Sequence, residues 1–189
     1  ELTVLRETLS KYNLRVSRYI FGPSAGILSK ATGKLWEEYA SKVLAGEKTG
    51  SFGFTEPENV ERMTFAIPSL DRSTISVTGQ KSYVTGGSTA DFVVVLANVK
   101  GSDGASQGTA MVVIDRQAPG VTIEREFLSM DGGLSHAFMR FNNVEVPMWH
   151  IIGKIGEGMP RALGQIGNVR LSLAAESVGL CMFIIGVIE

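Results

Sequence analysis

The sequence predicts an α+β protein in which an antiparallel, barrel-like β-domain is set between α-helical segments. Three observations carry this. Apolar residues recur at helical spacing at both ends of the chain, they alternate with a period of two in the middle, and glycine-rich turns cut that middle stretch into short runs. The chain has 189 residues, of which 44% are hydrophobic, enough to bury a sizeable core in one domain or slightly more.

The first zone, residues 1–49, reads as helical from Leu2 to Gly46. Leu35, Tyr39 and Val43 recur at i, i+4 and i+8, flanked by Trp36, Ala40 and Leu44, while Lys34, Glu37, Glu38, Ser41 and Lys42 fill the other face. Gly46 stands where a helix of this kind ends, because glycine enters the left-handed conformation without a Cβ penalty. The second zone, residues 50–150, is rich in β-branched residues: 74–77 (Thr-Ile-Ser-Val), 92–96 (Phe-Val-Val-Val-Leu), 110–114 (Ala-Met-Val-Val-Ile) and 138–141 (Phe-Met-Arg-Phe). Turn signals separate these runs at Gly86-Gly87, at 101–104, at Ala118-Pro119-Gly120, at Asp131-Gly132-Gly133 and at Asn142-Asn143. Pro147 is expected to stop the pairing of the last strand. In the third zone, residues 151–189, a connector leads to a helix that starts beyond Gly158 with Pro160 in its first turn.

That last helix is apolar from Leu171 to Ile188, about as long as a short membrane span, but Ser172, Glu176 and Ser177 interrupt it. A helix buried in a bundle is the simpler reading. Leu173, Val178, Leu180, Phe183 and Ile184 would otherwise expose a large apolar patch, so partner helices from other subunits are expected to cover them in a homo-oligomer, a dimer or a tetramer. The chain starts on Glu1 and stops at Glu189 directly after the run Cys181 to Ile188, with no cap, and is therefore expected to be a piece of a longer protein.

Composition narrows the function. With 18 basic and 19 acidic residues the net charge is −1, which leaves no cationic excess to release counterions from nucleic acid. His136 and His150, with the lone Cys181, are too few for a closed zinc site, and one cysteine makes no internal disulfide. His136 reads as a loop residue and His150 as part of a connector.

The chemistry lies in two stretches, 52–57 (Phe-Gly-Phe-Thr-Glu-Pro) and 81–86 (Lys-Ser-Tyr-Val-Thr-Gly). Together they offer hydroxyls beside exposed backbone and an aromatic ring, a set suited to a flat cofactor with polar edges such as a flavin. Such a ring needs one face covered by apolar surface and its edge atoms hydrogen-bonded, since burying a polar atom unpaired costs about 2–7 kcal/mol. Thr55, Tyr83 and Thr85 are the candidates. A second reading of Tyr83 and Thr85 stands beside this one: aromatic and β-branched neighbours are also ordinary sheet pairs.

Five segments, in order, resemble the acyl-CoA dehydrogenase family over nearly the whole chain. They are 44–50 (Leu-Ala-Gly-Glu-Lys-Thr-Gly) leading into Phe54-Thr55-Glu56-Pro57; 77–85 (Val-Thr-Gly-Gln-Lys-Ser-Tyr-Val-Thr); 118–121 (Ala-Pro-Gly-Val); 141–147 (Phe-Asn-Asn-Val-Glu-Val-Pro); and Ile152-Gly153 followed by Gly156-Glu157-Gly158. The resemblance implies the end of an N-terminal helical domain in 1–49, a flavin-binding β-domain in 50–150, and a connector with the first helix of a C-terminal helical domain in 151–189. It implies FAD as cofactor, held by Phe52, Phe54, Thr55, Tyr83, Val84 and Thr85, with Thr55 and the Phe54 backbone on the pyrimidine side and the Thr85 hydroxyl near the reactive edge. Arg170 takes the position of the family's arginine near the acyl-CoA site; by residue type alone it is equally a surface or salt-bridged arginine on a helix flank. The implied activity is α,β-dehydrogenation of an acyl-CoA with hydride transfer to FAD, in fatty acid β-oxidation. An electron-transfer flavoprotein would be the acceptor, in the cytoplasm or, for a eukaryotic protein, the mitochondrial matrix.

The sequence departs from the family in two places. Where relatives have a loop of small residues that meets phosphate, this chain has Glu58-Asn59-Val60-Glu61-Arg62, whose carboxylates oppose a pyrophosphate and whose arginine favours one. The resemblance implies a catalytic glutamate that most relatives place in later C-terminal helices and some just before the arginine matching Arg170; that second position is Val169, so no catalytic base is identified within the 189 residues. These departures keep two alternatives open: the same fold as a flavin-dependent oxidase or monooxygenase, or a non-catalytic binding or assembly module.

Overall fold

The computed structural model describes residues 2–14, 26–58, 63–128 and 135–188. The chain divides into two compact units: Glu1–Ser24 with Leu163–Glu189, and Ala25–Ala162.

In the first unit, helix α1 (Leu2–Lys11) packs on the later turns of a long helix that starts in the second unit. Their contact is close at Gly179, where a Cβ would lie 2.1 Å from the Glu7 carbonyl oxygen, and Arg6 forms an ion pair with Glu176 beside it. The long helix (Gly158–Ile188) is apolar and long enough by length and composition to cross a membrane. Leu173, Val178, Leu180 and Ile184 are exposed on it.

The second unit is built on a seven-stranded sheet: β1 (Gly50–Gly53), β2 (Phe65–Pro68), β3 (Thr74–Thr85), β4 (Phe92–Lys100), β5 (Ser106–Asp115), β6 (Val121–Leu128) and β7 (Ser135–Pro147). Its order is β1-β4-β2-β3-β7-β6, with β5 on the other side of β4. The helix before it runs from a π-turn at Trp36–Ala40 into α2 (Ser41–Leu44), and Gly46 adopts φ +75° just past its end. Leu35, Tyr39 and Val43 are all buried. They pack with Phe92, Val94, Leu96, Met111 and Val113 on one face of the sheet. Val93, Val95, Ala97 and Val99 point to the opposite face, into a core shared with β3 and β7. β4 is thus buried on both sides, which is why its sequence is a continuous apolar run and not an alternation.

The α+β class agrees with the sequence reading, and its four strand runs fall within β3, β4, β5 and β7; β1, β2 and β6 were not among them, and the details differ in three further places. β1 and β2 each pair with β4 in parallel, so the sheet is mixed rather than wholly antiparallel. Asn142-Asn143 is not a turn but lies within β7, two residues facing the single Thr78 across the ladder. Asn143 sits at φ +52°, its N–H donates to the Thr78 hydroxyl and its side chain accepts from Ser76, so a residue pair with turn propensity serves a bulge. His136 lies in β7, not in a loop, with its ring 5.5 Å from that of Phe127. The Asp131-Gly132-Gly133 turn falls outside the described residues, as does the part of the first helical zone at 15–25.

His150 joins the helix to the sheet. It lies buried in the short turn Met148–His150, its ring edge-on to Tyr39 at 5.4 Å and its Nδ1 2.8 Å from the Val113 carbonyl, to which it donates. Burial pulls this imidazole below its ordinary value, against the opposing Val113 hydrogen bond. The folded state therefore prefers neutral His150, its stabilisation is complete above the unfolded value of about 6.5, and it is lost as pH falls below that, by up to about 1.4 kcal/mol per pH unit. Thermal melts between pH 7.5 and 5 should show a steeper loss for the wild type than for His150→Gln; parallel profiles would assign the acid sensitivity elsewhere.

Candidate functional site

The candidate residues gather where the chain leaving β1 meets the end of β3. Two hydrogen bonds join these segments: the Ser51 hydroxyl donates to the Thr85 carbonyl at 2.9 Å, and the Ser82 N–H donates to the Thr55 carbonyl at 2.8 Å. Between them β3 carries a bulge. Lys81 pairs with Met139 and Val84 with Ala137, so Ser82 and Tyr83 together face Phe138 alone. Tyr83 takes φ +57°, a conformation that a bulky residue adopts only where its surroundings impose it.

The bulge changes which side chains face outward. Lys81, Ser82 and Val84 are buried, whereas Tyr83 is 57% exposed and Thr85 is exposed beside it. The Tyr83 ring is held edge-on by Phe127 at 5.6 Å and tilted against Phe138 at 5.4 Å, with the Arg125 guanidinium 5.8 Å from both phenylalanine rings. On the chain leaving β1, Phe52 and Phe54 are half-buried against the core that holds Tyr39 and Phe92, their rings 5.9 Å apart, and Thr55 is exposed. The hydroxyls of Thr55, Tyr83 and Thr85 make no hydrogen bond among the described residues, so all three are available to a ligand. Ser82 Oγ is buried and likewise unpartnered.

Thr55, Tyr83 and Thr85 thus lie on connected segments, as the sequence led one to expect. Val84 is wholly buried among core residues, so it can contribute to a site only through its backbone. Arg170 is exposed on the long helix and belongs to the other unit. Of the variant loop Glu58 to Arg62, only Glu58 is among the described residues, and it is exposed.

Sequence reasoning assigned no role to Lys81 and Glu56. Lys81 is 2% exposed; its Nζ donates to Glu56 Oε1 at 2.8 Å and to the Phe54 carbonyl at 3.1 Å. Glu56 Oε1 also accepts the Thr64 N–H at 2.9 Å. Burial pulls the Lys81 ammonium down, while Glu56 pushes it back up. Burial likewise acts to raise the Glu56 carboxyl, but the hydrogen bond and charge of Lys81, helped by Thr64, outweigh it and hold that carboxyl below the usual range. The pair borders a largely apolar cavity of about 310 Å³ that Phe54, Thr55, Leu96, Thr109 and Met159 also line. A signal for this was present: Lys81 follows Ile75 and Val77 at even spacing, on the face that alternation turns inward.

A ring with polar edges fits this arrangement. Three unpaired hydroxyls can meet its edge atoms, and an exposed aromatic ring braced by two others can cover part of a face.

Residues 51–144 match the family model for the acyl-CoA dehydrogenase middle domain. A probable acyl-CoA dehydrogenase of Mycobacterium tuberculosis is 34% identical over 136 residues, covering 69% of this chain and 21% of that protein. The cyclohex-1-ene-1-carbonyl-CoA dehydrogenase of Geobacter metallireducens is 29% identical over 189 residues, covering 95% of this chain and 49% of that protein. Among solved structures, butyryl-CoA dehydrogenase from Megasphaera elsdenii superposes with a TM-score of 0.76 at 26% identity, over 93% of this chain and 48% of that one. The chain spans less than half the length of each of these proteins.

Proposed function

The chain belongs to the acyl-CoA dehydrogenase family, and from that premise we propose that its β-domain holds the isoalloxazine ring of FAD in a protein that oxidises an acyl-CoA at its α,β bond. The observation that carries this reading is the set of unpaired hydroxyls of Thr55, Tyr83 and Thr85 around the β3 bulge. Thr55 and the backbone at Phe54 would bond the pyrimidine edge, Tyr83 would cover ring surface with Phe127 and Phe138 behind it, and Thr85 would reach the reactive edge. Phe52 would support Phe54, and Val84 would contribute backbone only. Bound FAD would supply the hydride acceptor for the β-hydrogen of the substrate.

The division into the end of a helical domain (1–49), the β-domain (50–150) and a connector with the first helix of a second helical domain (151–189) belongs to the same reading. So does an acyl-CoA contact for Arg170. The exposed apolar residues of the long helix support burial against other helices in a homo-oligomer, a dimer or tetramer. A solved protein described as an electron transferring flavoprotein of Acidaminococcus fermentans is 26% identical with a TM-score of 0.73. It supports placing this chain in flavin electron transfer, with an electron-transfer flavoprotein as acceptor. Fatty acid β-oxidation in the cytoplasm fits the bacterial relatives.

A second reading, a flavin-dependent oxidase or monooxygenase, needs no carboxylate base and is compatible with Val169 before Arg170. The purified protein should carry yellow flavin absorbance that an acyl-CoA bleaches without oxygen. Rapid reoxidation by oxygen with release of peroxide would point to an oxidase, and absence of flavin to a non-catalytic module. Thr55→Val and Tyr83→Ala should each weaken FAD binding about tenfold, the loss of one hydrogen bond or one ring contact. Fluorescence titration measures this, and unchanged dissociation constants would move the site elsewhere.

A further inference from the structure

We propose that Lys81 is a positioning residue: with Glu56 it forms a buried brace that fixes the backbone of 54–56 so that its amides face the cofactor. The inference rests on the flavin reading above and assigns a role to a pair that makes no outward contact itself. Lys81 and Ser82, adjacent on β3, grip two adjacent carbonyls: the Lys81 ammonium takes that of Phe54 at 3.1 Å, and the Ser82 N–H takes that of Thr55 at 2.8 Å. Glu56, the next residue along, is tied back to the same ammonium at 2.8 Å.

Peptide planarity turns this grip into a consequence for the opposite side. In a trans peptide the C=O and the following N–H point in opposite directions, and no cis peptide occurs among the described residues. With the Phe54 carbonyl drawn to the buried lysine, the Thr55 N–H is turned away from it. With the Thr55 carbonyl drawn to Ser82, the Glu56 N–H is turned away from β3. Neither N–H donates to an acceptor among the described residues, and the Thr55 hydroxyl is free beside them. The result is a row of three donors, suited to the carbonyl and nitrogen acceptors along a pyrimidine edge. The row persists without a ligand because the groups that aim it are buried and anchored to Thr64. Gly53 allows the stem of Lys81 past the backbone: a Cβ there would lie 3.2 Å from Lys81 Cγ.

The test separates holding the fold from aiming the donors. Lys81→Met with Glu56→Met removes both charges at similar volume, a change that buried ion pairs often tolerate in stability. The double variant of the full-length protein should melt close to the wild type and yet bind FAD about tenfold or more weakly, its bound-flavin absorption shifted toward that of free flavin. FAD affinity within about twofold of the wild type would overturn the brace while leaving the flavin reading standing. A wild type that binds no FAD would overturn both. Should the double variant not fold, Glu56→Gln keeps an acceptor for Lys81 and Thr64 but drops the charge. Faster amide hydrogen exchange at Ser82, whose N–H the Thr55 carbonyl accepts, in the flavin-free variant supports the brace, and unchanged exchange overturns it.

Discussion

Lys81→Met alone should cost about 3–5 kcal/mol of folding stability, because it leaves the Glu56 carboxylate largely buried without its counter-charge. Lys81 is 2% exposed and the Glu56 side chain 15% exposed, so water screens little of the lost interaction. Thr64 remains as a donor to Glu56, which lessens the penalty without removing it. The variant should also change how stability depends on pH. In the wild type the Glu56 carboxyl is held below its unfolded value, so its stabilisation is present above the ordinary carboxylate range and is lost as pH falls through the folded value. Without Lys81, burial is the influence that dominates and raises that carboxyl; protonation then relieves the buried charge, and the variant should recover ground on the wild type as pH falls. Urea unfolding at pH 7 and at pH 4.5 measures both effects. A loss under about 1 kcal/mol at neutral pH would show that the pair is effectively solvated.

The inward turn of Lys81 was legible from its even spacing after Ile75 and Val77, but its partner was not, because Glu56 is distant in sequence and meets the ammonium only through the fold. Tyr83 lies two residues beyond Lys81 and by the same alternation should also turn inward, but the bulge at Ser82 and Tyr83 turns it outward. A bulge shifts the alternation by one, and nothing in Lys-Ser-Tyr-Val specifies it, whereas strands such as β4 are specified by apolar runs many residues long. Asn142-Asn143 shows the same limit from the other side. Its preference for positive φ was legible, but whether that preference makes a turn or a bulge depends on Thr78 and Ser76 across the ladder. The helix containing Leu35, Tyr39 and Val43 was legible because its spacing alone fixes one face, and that face is the buried one. Parallel pairing of β1 and β2 with β4 was not, since it depends on how the chain returns over long distances.

Phe92→Ala should cost about 3–5 kcal/mol, the range for deleting a buried aromatic ring that the surroundings cannot close over. Phe92 is 1% exposed and sits where the helix, β1, β4 and β5 converge: its ring is edge-on to Tyr39 at 5.0 Å, and across the ladders it pairs with Gly50 and Asp115. Tyr39 cannot follow the vacated space freely, because its hydroxyl donates to Asp115 at 3.0 Å and its ring meets His150. Gly50 makes the same point in reverse. A Cβ there would lie 2.5 Å from the Phe92 ring, so Gly50→Ala should destabilise by about 1–3 kcal/mol through overpacking. In the Phe92→Ala background the added methyl has room, so the two changes should offset each other by about 1 kcal/mol or more in a double-mutant cycle. Strict additivity would mean that the ring and the glycine do not share this space. β1 ends at Gly53, immediately before Phe54 and Thr55, so loosening its contact with Phe92 should also weaken FAD binding. Fluorescence titration of Phe92→Ala at a temperature where it remains folded tests whether β1 must be seated on this ring for the donor row to be held in place.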